Sequence, residues 1–443
     1  MADIAPFRGV RYAQAKVGGD LSKVMAPPYD VISKDEQDQL YERHPNNVVR
    51  LILGKEENKY QSATKLFSEW QENGILQPDT CEAIYVYHQI FSDPVTGKLA
   101  PERTGIVCLL KLEEYSSGKV LPHENTLTAA KADRLELLKA TNAQFESIYG
   151  LFSDPDRSVA SFLAEYDDRE AIIEEVSGLI GSSHRIEKIS DANAINALRE
   201  LIQDKPIFIA DGHHRYETSL NYRREVRQFS DAPDGTLAED YILITLTAFE
   251  DEGLLVLPTH RIVKNVDQNK VDGLLESLGE IATIEQCAAS DIEASITRIG
   301  AAGRKAIGIV LPNNQSYVAT MKPSIDLTTV VKGDAAKVTK QLDVTLLQSL
   351  VLDERLGISA EKLASGSSVS YTRSVDDAIQ AVQSGQGQAA FILGRPSVQE
   401  VRDVSLAGDR MPQKSTFFFP KLLSGLVMRN LLLDNPKNLS DDE

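Results

Sequence analysis

The chain has 443 residues, 42% hydrophobic and 25% charged, with a formal net charge of −18. This is ordinary globular composition, long enough for two or three domains and for a core that needs no disulfide or metal staple. A body this acidic repels a phosphate backbone, which disfavours generic nucleic-acid binding and confines any anion site to a local pocket of positive potential.

In chain order, Ala26-Pro27-Pro28-Tyr29-Asp30 cannot be helix interior, because prolines lack a donor and restrict the residue before them. Ser33 with Glu36 three residues on predicts a capping box and a helix through about Tyr41. Ala63, Leu66, Phe67 and Trp70 recur at helical spacing. Segments 84–87 and 105–109 predict a hairpin around the turn material of 92–97, with Cys108 in the core. A helix follows Thr126, with Leu127, Ala130, Leu135 and Leu138 on one side, and 145–152 reads as a strand. Next come a helix over 155–178, a short strand at 184–186, a helix over 191–203 and a strand over 206–210. A helix then starts at Gly212, before a strand over 241–246. The last third predicts a hairpin of 306–311 with 317–321, helices near 343–354, 374–384 and 397–407, and strands at 369–371 and 389–393. Such alternation means a mixed α/β architecture. We divide it into an α/β domain over 1–265, a second over 266–432 and a flexible acidic tail over 433–443. Cys81, Cys108 and Cys287 form neither a C-x-x-C pair nor zinc spacing, and reduced thiols fit a cytoplasmic location. The amino terminus has no signal-peptide pattern, and no stretch reaches the ~18 apolar residues of a membrane span.

The central motif is Ala210-Asp211-Gly212-His213-His214-Arg215, where a buried strand runs straight into a helix. Gly212 allows a tight turn and close approach of a ligand. The first helical turn has unpaired N–H groups and the positive end of the macrodipole, so it binds phosphate or carboxylate readily. Two imidazoles and a guanidinium add donors, and Arg215 can grip a phosphate with two parallel bonds. His213 and Glu217 share a face at i, i+4, as a proton relay or a surface pair. Adjacent histidines point about 100° apart on a helix and are poor metal co-ligands.

Three further constellations carry charge. His123-Glu124-Asn125-Thr126 pairs an imidazole with a carboxylate before a helix: Glu124 is a candidate general base, His123 a phosphate donor and Thr126 a cap, with a purely capping role equally open. The second histidine of H-E-x-x-H is absent. His260 and Arg261 follow a short apolar strand and can join an anion site or lie on the surface. Lys414-Ser415-Thr416 precedes the strand Phe417-Phe418-Phe419 but lacks the glycines of a P-loop, and Gly385-Gln386-Gly387 precedes a strand where a dinucleotide motif would follow one. No Gly-x-Ser-x-Gly elbow is present.

Taken together, 25–32, 47–51, 122–124, 210–217, 257–261 and 411–425 resemble the family known as domain of unknown function 1015, in the family's order and over nearly the whole chain. The Asp-Gly-His-His-Arg turn alone is also similar to one in free-serine kinases that carry a ParB-like domain. That second resemblance, which covers only the turn and its flanks, implies a ParB/sulfiredoxin-like nucleotide-binding region in which Gly212, His213, His214 and Arg215 hold phosphate oxygens. ATP or ADP and Mg²⁺ are the expected cofactors, and Pro28, Tyr29 and Asp30 are expected at the substrate pocket. The expected function is phosphoryl transfer on a small metabolite, free serine or phosphoserine, in either the kinase or the phosphatase direction. Asp211, His213, His214 and Glu124 are the catalytic candidates; His123, His260, Arg261, Lys414, Ser415 and Thr416 supply further phosphate contacts. The alternatives are a nucleotide-binding regulatory switch resembling ParB proteins and a non-catalytic anion-binding protein.

Overall fold

Runs of β-branched and aromatic residues supply nine strands to one mixed sheet: β1 Ile4–Ala5, β2 Ile84–Phe91, β3 Arg103–Lys111, β4 Val120–Pro122, β5 Ile148–Phe152, β6 Glu170–Leu179, β7 Ser182–Ile189, β8 Ile207–Asp211 and β9 Tyr241–Ala248. Their order is β4-β8-β5-β9-β3-β2-β7-β6, with β1 beside β3. The expected hairpin is β2 and β3, antiparallel with Tyr85 opposite Val107. β9 runs parallel to β5, and β8 antiparallel to it. The computed structural model describes residues 2–126, 128–179, 181–229, 236–364 and 366–434, so Leu127 and 435–443 of the expected tail lie outside the described residues.

The chain makes two compact units that interleave in sequence. The first takes Met1–Pro122, Thr126–Leu255 and Pro420–Glu443; the second takes His123–Asn125 and Val256–Phe419. The sequence reading cuts after 265 and after 432, whereas the contacts return the segment from Pro420 to the first unit and assign His123–Asn125 to the second. Asp434, counted with the tail, instead has its side chain closed off, with the carboxylate 2.5 Å from Arg429 Nη2.

In the first unit, α1 Lys34–Arg43 opens with the expected capping box of Ser33 and Glu36. α2 Lys59–Glu72 buries Ala63, Phe67 and Trp70. α3 Thr128–Thr141, α4 Ser158–Glu165, α5 Ala192–Ile202 and α6 His213–Gln228 follow. Ile195, Leu198 and Ile202 of α5 and Tyr216 and Leu220 of α6 share a core with Ile84, Cys108 and Ile244. Burying side chains of this size is worth about 1.5–3 kcal/mol each, which is what fixes the start of α6 against the sheet.

The helix expected over 155–178 is corrected: it stops at Glu165, and β6 follows. Ile173, Val176 and Leu179 are buried at a spacing of three, which imitates a helical stripe. The cause is irregular pairing of β6 with β7, where register shifts interrupt the ladder around His184 and Ile186. Each shift inserts a residue and breaks the two-residue alternation of a strand. The strand expected over 145–152 begins only at Ile148; Phe145 turns away to pack edge-on against Phe67 at 5.1 Å.

The second unit has an antiparallel sheet of β10 His260–Val263, β11 Ala282–Gln286, β12 Ala306–Leu311, β13 Gln315–Met321, β14 Val369–Thr372 and β15 Ala389–Ile392. The order is β11-β13-β12-β15-β10-β14. Ile292 and Ile296 of α7 Ile292–Ala301 and Ala378 and Val382 of α8 Val375–Gln383 pack against Val310 and Ala390. α9 Val398–Leu406 begins with a second capping box, Ser397 with Glu400. The helix expected at 343–354 starts as Asp343–Leu346 and widens into a π-helical turn over Leu347–Asp353. Among the described residues no helix is long and apolar enough to cross a membrane.

Candidate functional site

β8 buries Ile207, Phe208, Ile209 and Ala210 and stops at the half-buried Asp211. A register shift between Ile209 and Asp211 sets Asp211 opposite Tyr149. Gly212 then takes φ +89, and a Cβ there would stand 2.7 Å from Ile148 Cγ2. Both facts require glycine. α6 begins at His213 with no side-chain cap on Gly212 and no acidic residue in its first turn, so the positive end of a 16-residue helix faces this corner.

Charge is concentrated there. Asp211 Oδ1 accepts a hydrogen bond from Lys421 Nζ at 2.8 Å, and Oδ2 lies 3.5 Å from Arg215 Nη2. Burial would raise the Asp211 carboxyl, but Lys421 and then Arg215 overcome it and hold the group at about 2. Arg215 Nη1 donates to Ser147 O at 2.8 Å. Burial works against its charge, and Glu146, Asp211 and Asp30 more than restore it.

Glu146 Oε1 accepts from Tyr29 N at 3.0 Å and from Ser424 Oγ at 2.7 Å. The Arg134 guanidinium lies 4.1 Å from the centre of the Tyr29 ring. Burial, with Asp30 beside it, pushes the Tyr29 hydroxyl up to about 12. Pro28 is buried and Asp30 exposed. A cavity of 60 Å³ opens against Arg134, Glu146 and Arg215.

The first unit therefore joins the Pro28-Tyr29-Asp30 segment to the Asp211–Arg215 turn, through residues that sequence reasoning missed: Arg134, Glu146, Ser147, Lys421 and Ser424. Lys421 and Ser424 do lie in the 411–425 stretch that carries the family resemblance, where Lys414 drew attention first. Glu217, one turn on from His213, accepts at Oε2 from Thr126 Oγ1 at 2.7 Å and from Lys131 Nζ at 2.8 Å. Thr126 thus serves as a donor to α6.

The other expected site residues gather in the second unit and hold one another. His123 is fully buried, with Nε2 2.9 Å from Thr416 Oγ1. Glu124 Oε1 accepts from Ser415 N at 3.2 Å and lies 3.4 Å from Thr416 N and 3.3 Å from Thr416 Oγ1. Arg261 is buried and donates to Thr259 O and, at 3.1 Å, to Lys414 O. Lys414 is exposed at φ +58. His260 Nδ1 accepts from Leu393 N at 3.2 Å. Burial, then Arg261, draws its imidazole down to about 4, so His260 is neutral at pH 7 and does not supply the positive charge expected of it. Glu124 likewise works as an acceptor for a backbone turn. Among the described residues no group of three His, Cys, Asp or Glu has the arrangement of a metal site.

Distant structural likenesses accompany this geometry. A conserved hypothetical protein from Pyrococcus furiosus is 15% identical, covers 69% of this chain and 89% of its own, and has a TM-score of 0.33. A free serine kinase in complex with AMP is 12% identical over 68% of this chain and 83% of its own, with a TM-score of 0.33. SbnI with a C-terminal truncation, from Staphylococcus aureus, is 11% identical over 75% and 92%, with a TM-score of 0.35. At these scores no residue role passes from one chain to another. No curated protein matches the chain. The family described as "Protein of unknown function (DUF1015)" matches residues 4–345, most of the chain's length, and the chain belongs to that family.

Proposed function

We propose that the first unit carries out phosphoryl transfer on a small metabolite, with free serine or phosphoserine as the specific case and ATP or ADP as the nucleotide. The observation that carries this reading is the start of α6. A glycine-opened helix end without a side-chain cap stands beside Lys421 and Arg215, whose charges outweigh burial at Asp211. Phosphoryl transfer needs little covalent chemistry from a protein, chiefly positioning and stabilisation of charge on the moving group. In this reading the amides of the first turn and Lys421 hold the phosphate oxygens. The bond from phosphorus to the nucleotide breaks as the bond to the metabolite hydroxyl forms, and the hydroxyl proton passes to His213 or His214. Imidazole is the side chain suited to that exchange near neutral pH. Asp211, held near 2, is a poor proton acceptor at pH 7 and serves to fix Lys421. Both its oxygens face cations already, so Mg²⁺ at this carboxylate would have to displace Lys421; Mg²⁺ usually keeps waters and substrate phosphates as its main ligands.

The test is thermal shift of the full chain with ATP, ADP, serine and phosphoserine, each with and without Mg²⁺, followed by ³¹P NMR of any pair that binds. A ligand at 100 times its Kd adds ~2.7 kcal/mol of stability. Binding with transfer supports the reading and gives its direction. Binding without turnover leaves an anion-binding protein. No shift with any phosphorylated compound, and no difference between wild type and His214→Ala, rejects it.

A further inference from the structure

The second unit holds a larger cavity, of 280 Å³, which borders the 257–261 and 411–425 motifs through Pro258, Thr259, Met411 and Ser415 and whose charged groups lie outside them. It lies where the chain leaves β15 through Gly394 and Arg395, beside the Arg304-Lys305 entry to β12 and the start of the Asp343–Leu346 helix. Its wall carries three cations, Arg304, Lys305 and Arg395, against two carboxylates, Asp343 and Glu400.

These groups are held in place. Glu400 Oε2 accepts from Ser397 N at 2.9 Å, and Glu400 N donates to Ser397 Oγ at 3.1 Å, so the capping box of α9 fixes this carboxylate. Its other oxygen accepts from Lys305 Nζ at 3.2 Å. The same ammonium stands 3.6 Å from Asp343 Oδ1, beyond a hydrogen bond. Oδ1 is closed to solvent and has no hydrogen-bond partner, while the Asp343 side chain as a whole keeps 28% of its surface accessible. Oδ2 faces Gly394, where an added Cβ would lie 3.8 Å from it. Burial pushes the carboxyl up to about 6, against the pull of Lys305. With Oδ1 closed to solvent, a donor in the cavity meets Asp343 through Oδ2, and a carboxylate short of donors costs the fold free energy that such a donor restores.

We propose that this cavity binds a compact zwitterion, a small molecule whose ammonium group donates to Asp343 and whose anionic group, carboxylate or phosphate, is held by Arg304 and Arg395. The wall sets cations and carboxylates side by side, so a ligand that carries both signs matches it where a single ion matches only one part. The volume falls just below the ~300–1,000 Å³ of small-molecule sites, which fits a molecule without a nucleobase. The proposal is independent of the phosphoryl-transfer reading, which uses first-unit residues alone.

The test is NMR of the full chain labelled at its methionine methyls, titrated with β-alanine and O-phosphoethanolamine. Propionate, ethyl phosphate and ethylamine serve as single-charge controls. Met411 lines the cavity, whereas Met25 and Met428 belong to the first unit. The expected result is a saturable shift at Met411 with one or both zwitterions, silence at Met25 and Met428, and at least tenfold weaker binding of every control. Which zwitterion binds tells carboxylate from phosphate. Asp343→Asn and Arg395→Gln should each weaken binding at least tenfold, while His214→Ala leaves it unchanged. No Met411 shift with either zwitterion in the wild-type chain, or equal shifts with the single-charge controls, overturns the proposal without recourse to any variant.

Discussion

Replacing Lys421 by Met tests the electrostatics of the α6 corner most directly. Asp211 sits at about 2 against an ordinary 3.8, and at ~1.4 kcal/mol per pH unit the fold gains about 2 kcal/mol at neutral pH from keeping it ionised. Both partners are close to closed off, with side chains 9% and 20% exposed, so solvent screens the pair less than a surface ion pair. Lys421→Met removes the larger of the two opposing cations and leaves Arg215 at 3.5 Å. We expect a loss of about 2 kcal/mol at pH 7. Trp70 gives a local readout, because it is the sole tryptophan and lies buried beside Tyr12 in the first unit. Urea unfolding followed by its fluorescence should show Lys421→Met, Asp211→Asn and the double variant coupled by about 2 kcal/mol. A depressed carboxyl contributes stability above its unfolded value and loses it as pH falls through the folded one. The difference between wild type and Lys421→Met should therefore narrow from pH 4 towards pH 2. Additive single effects, within ~0.5 kcal/mol, would refute the claim that this ion pair outweighs burial at Asp211.

Three further outcomes follow from the same geometry. Gly212→Ala forces a left-handed residue with a Cβ into Ile148 and should cost about 1–3 kcal/mol by the same Trp70 readout; a neutral result would mean the turn relaxes. Arg261→Met leaves the carbonyls of Thr259 and Lys414 without their buried donor and should speed amide exchange over 411–416, while exchange over 207–211 stays as in wild type. Asp343 is raised to about 6, so its stabilising share is full below 3.8 and is lost as pH rises through 6. Asp343→Asn should therefore gain stability relative to wild type between pH 4 and 6 and level off above, in calorimetric scans of the full chain.

Local chemistry made much of this fold legible. Ser33 and Glu36 formed the box their spacing announced, the hairpin of β2 and β3 closed over its turn residues, and the Asp-Gly-His-His-Arg turn is a strand-to-helix corner with glycine in the left-handed region. What escaped depended on long-range pairing. Ile173, Val176 and Leu179 look helical because bulges in the partner ladder, set by β7, rewrite their periodicity. Lys421 is 210 residues from Asp211, and Glu146 meets Tyr29 across 117; neither has a local signature.

The second unit shows why residue type alone overstates a phosphate site. A buried arginine, an imidazole beside a carboxylate and a Lys-Ser-Thr run are what an anion site recruits, because all present directed donors. The same donors and acceptors also satisfy backbone groups wherever a turn is buried. Arg261 spends its guanidinium on two carbonyls, Glu124 takes the amide of Ser415, and His260 is an acceptor. Burial separates the two uses. When such a cluster is closed and its donors are matched by main-chain acceptors, it holds the turn. When a helix end opens with no side-chain cap and two cations outweigh desolvation at a neighbouring carboxylate, as at Asp211, the positive end of the helix stands beside charged groups, the setting in which anions bind. That is the ground on which we propose phosphate chemistry at the α6 corner and not at the Lys414-Ser415-Thr416 turn.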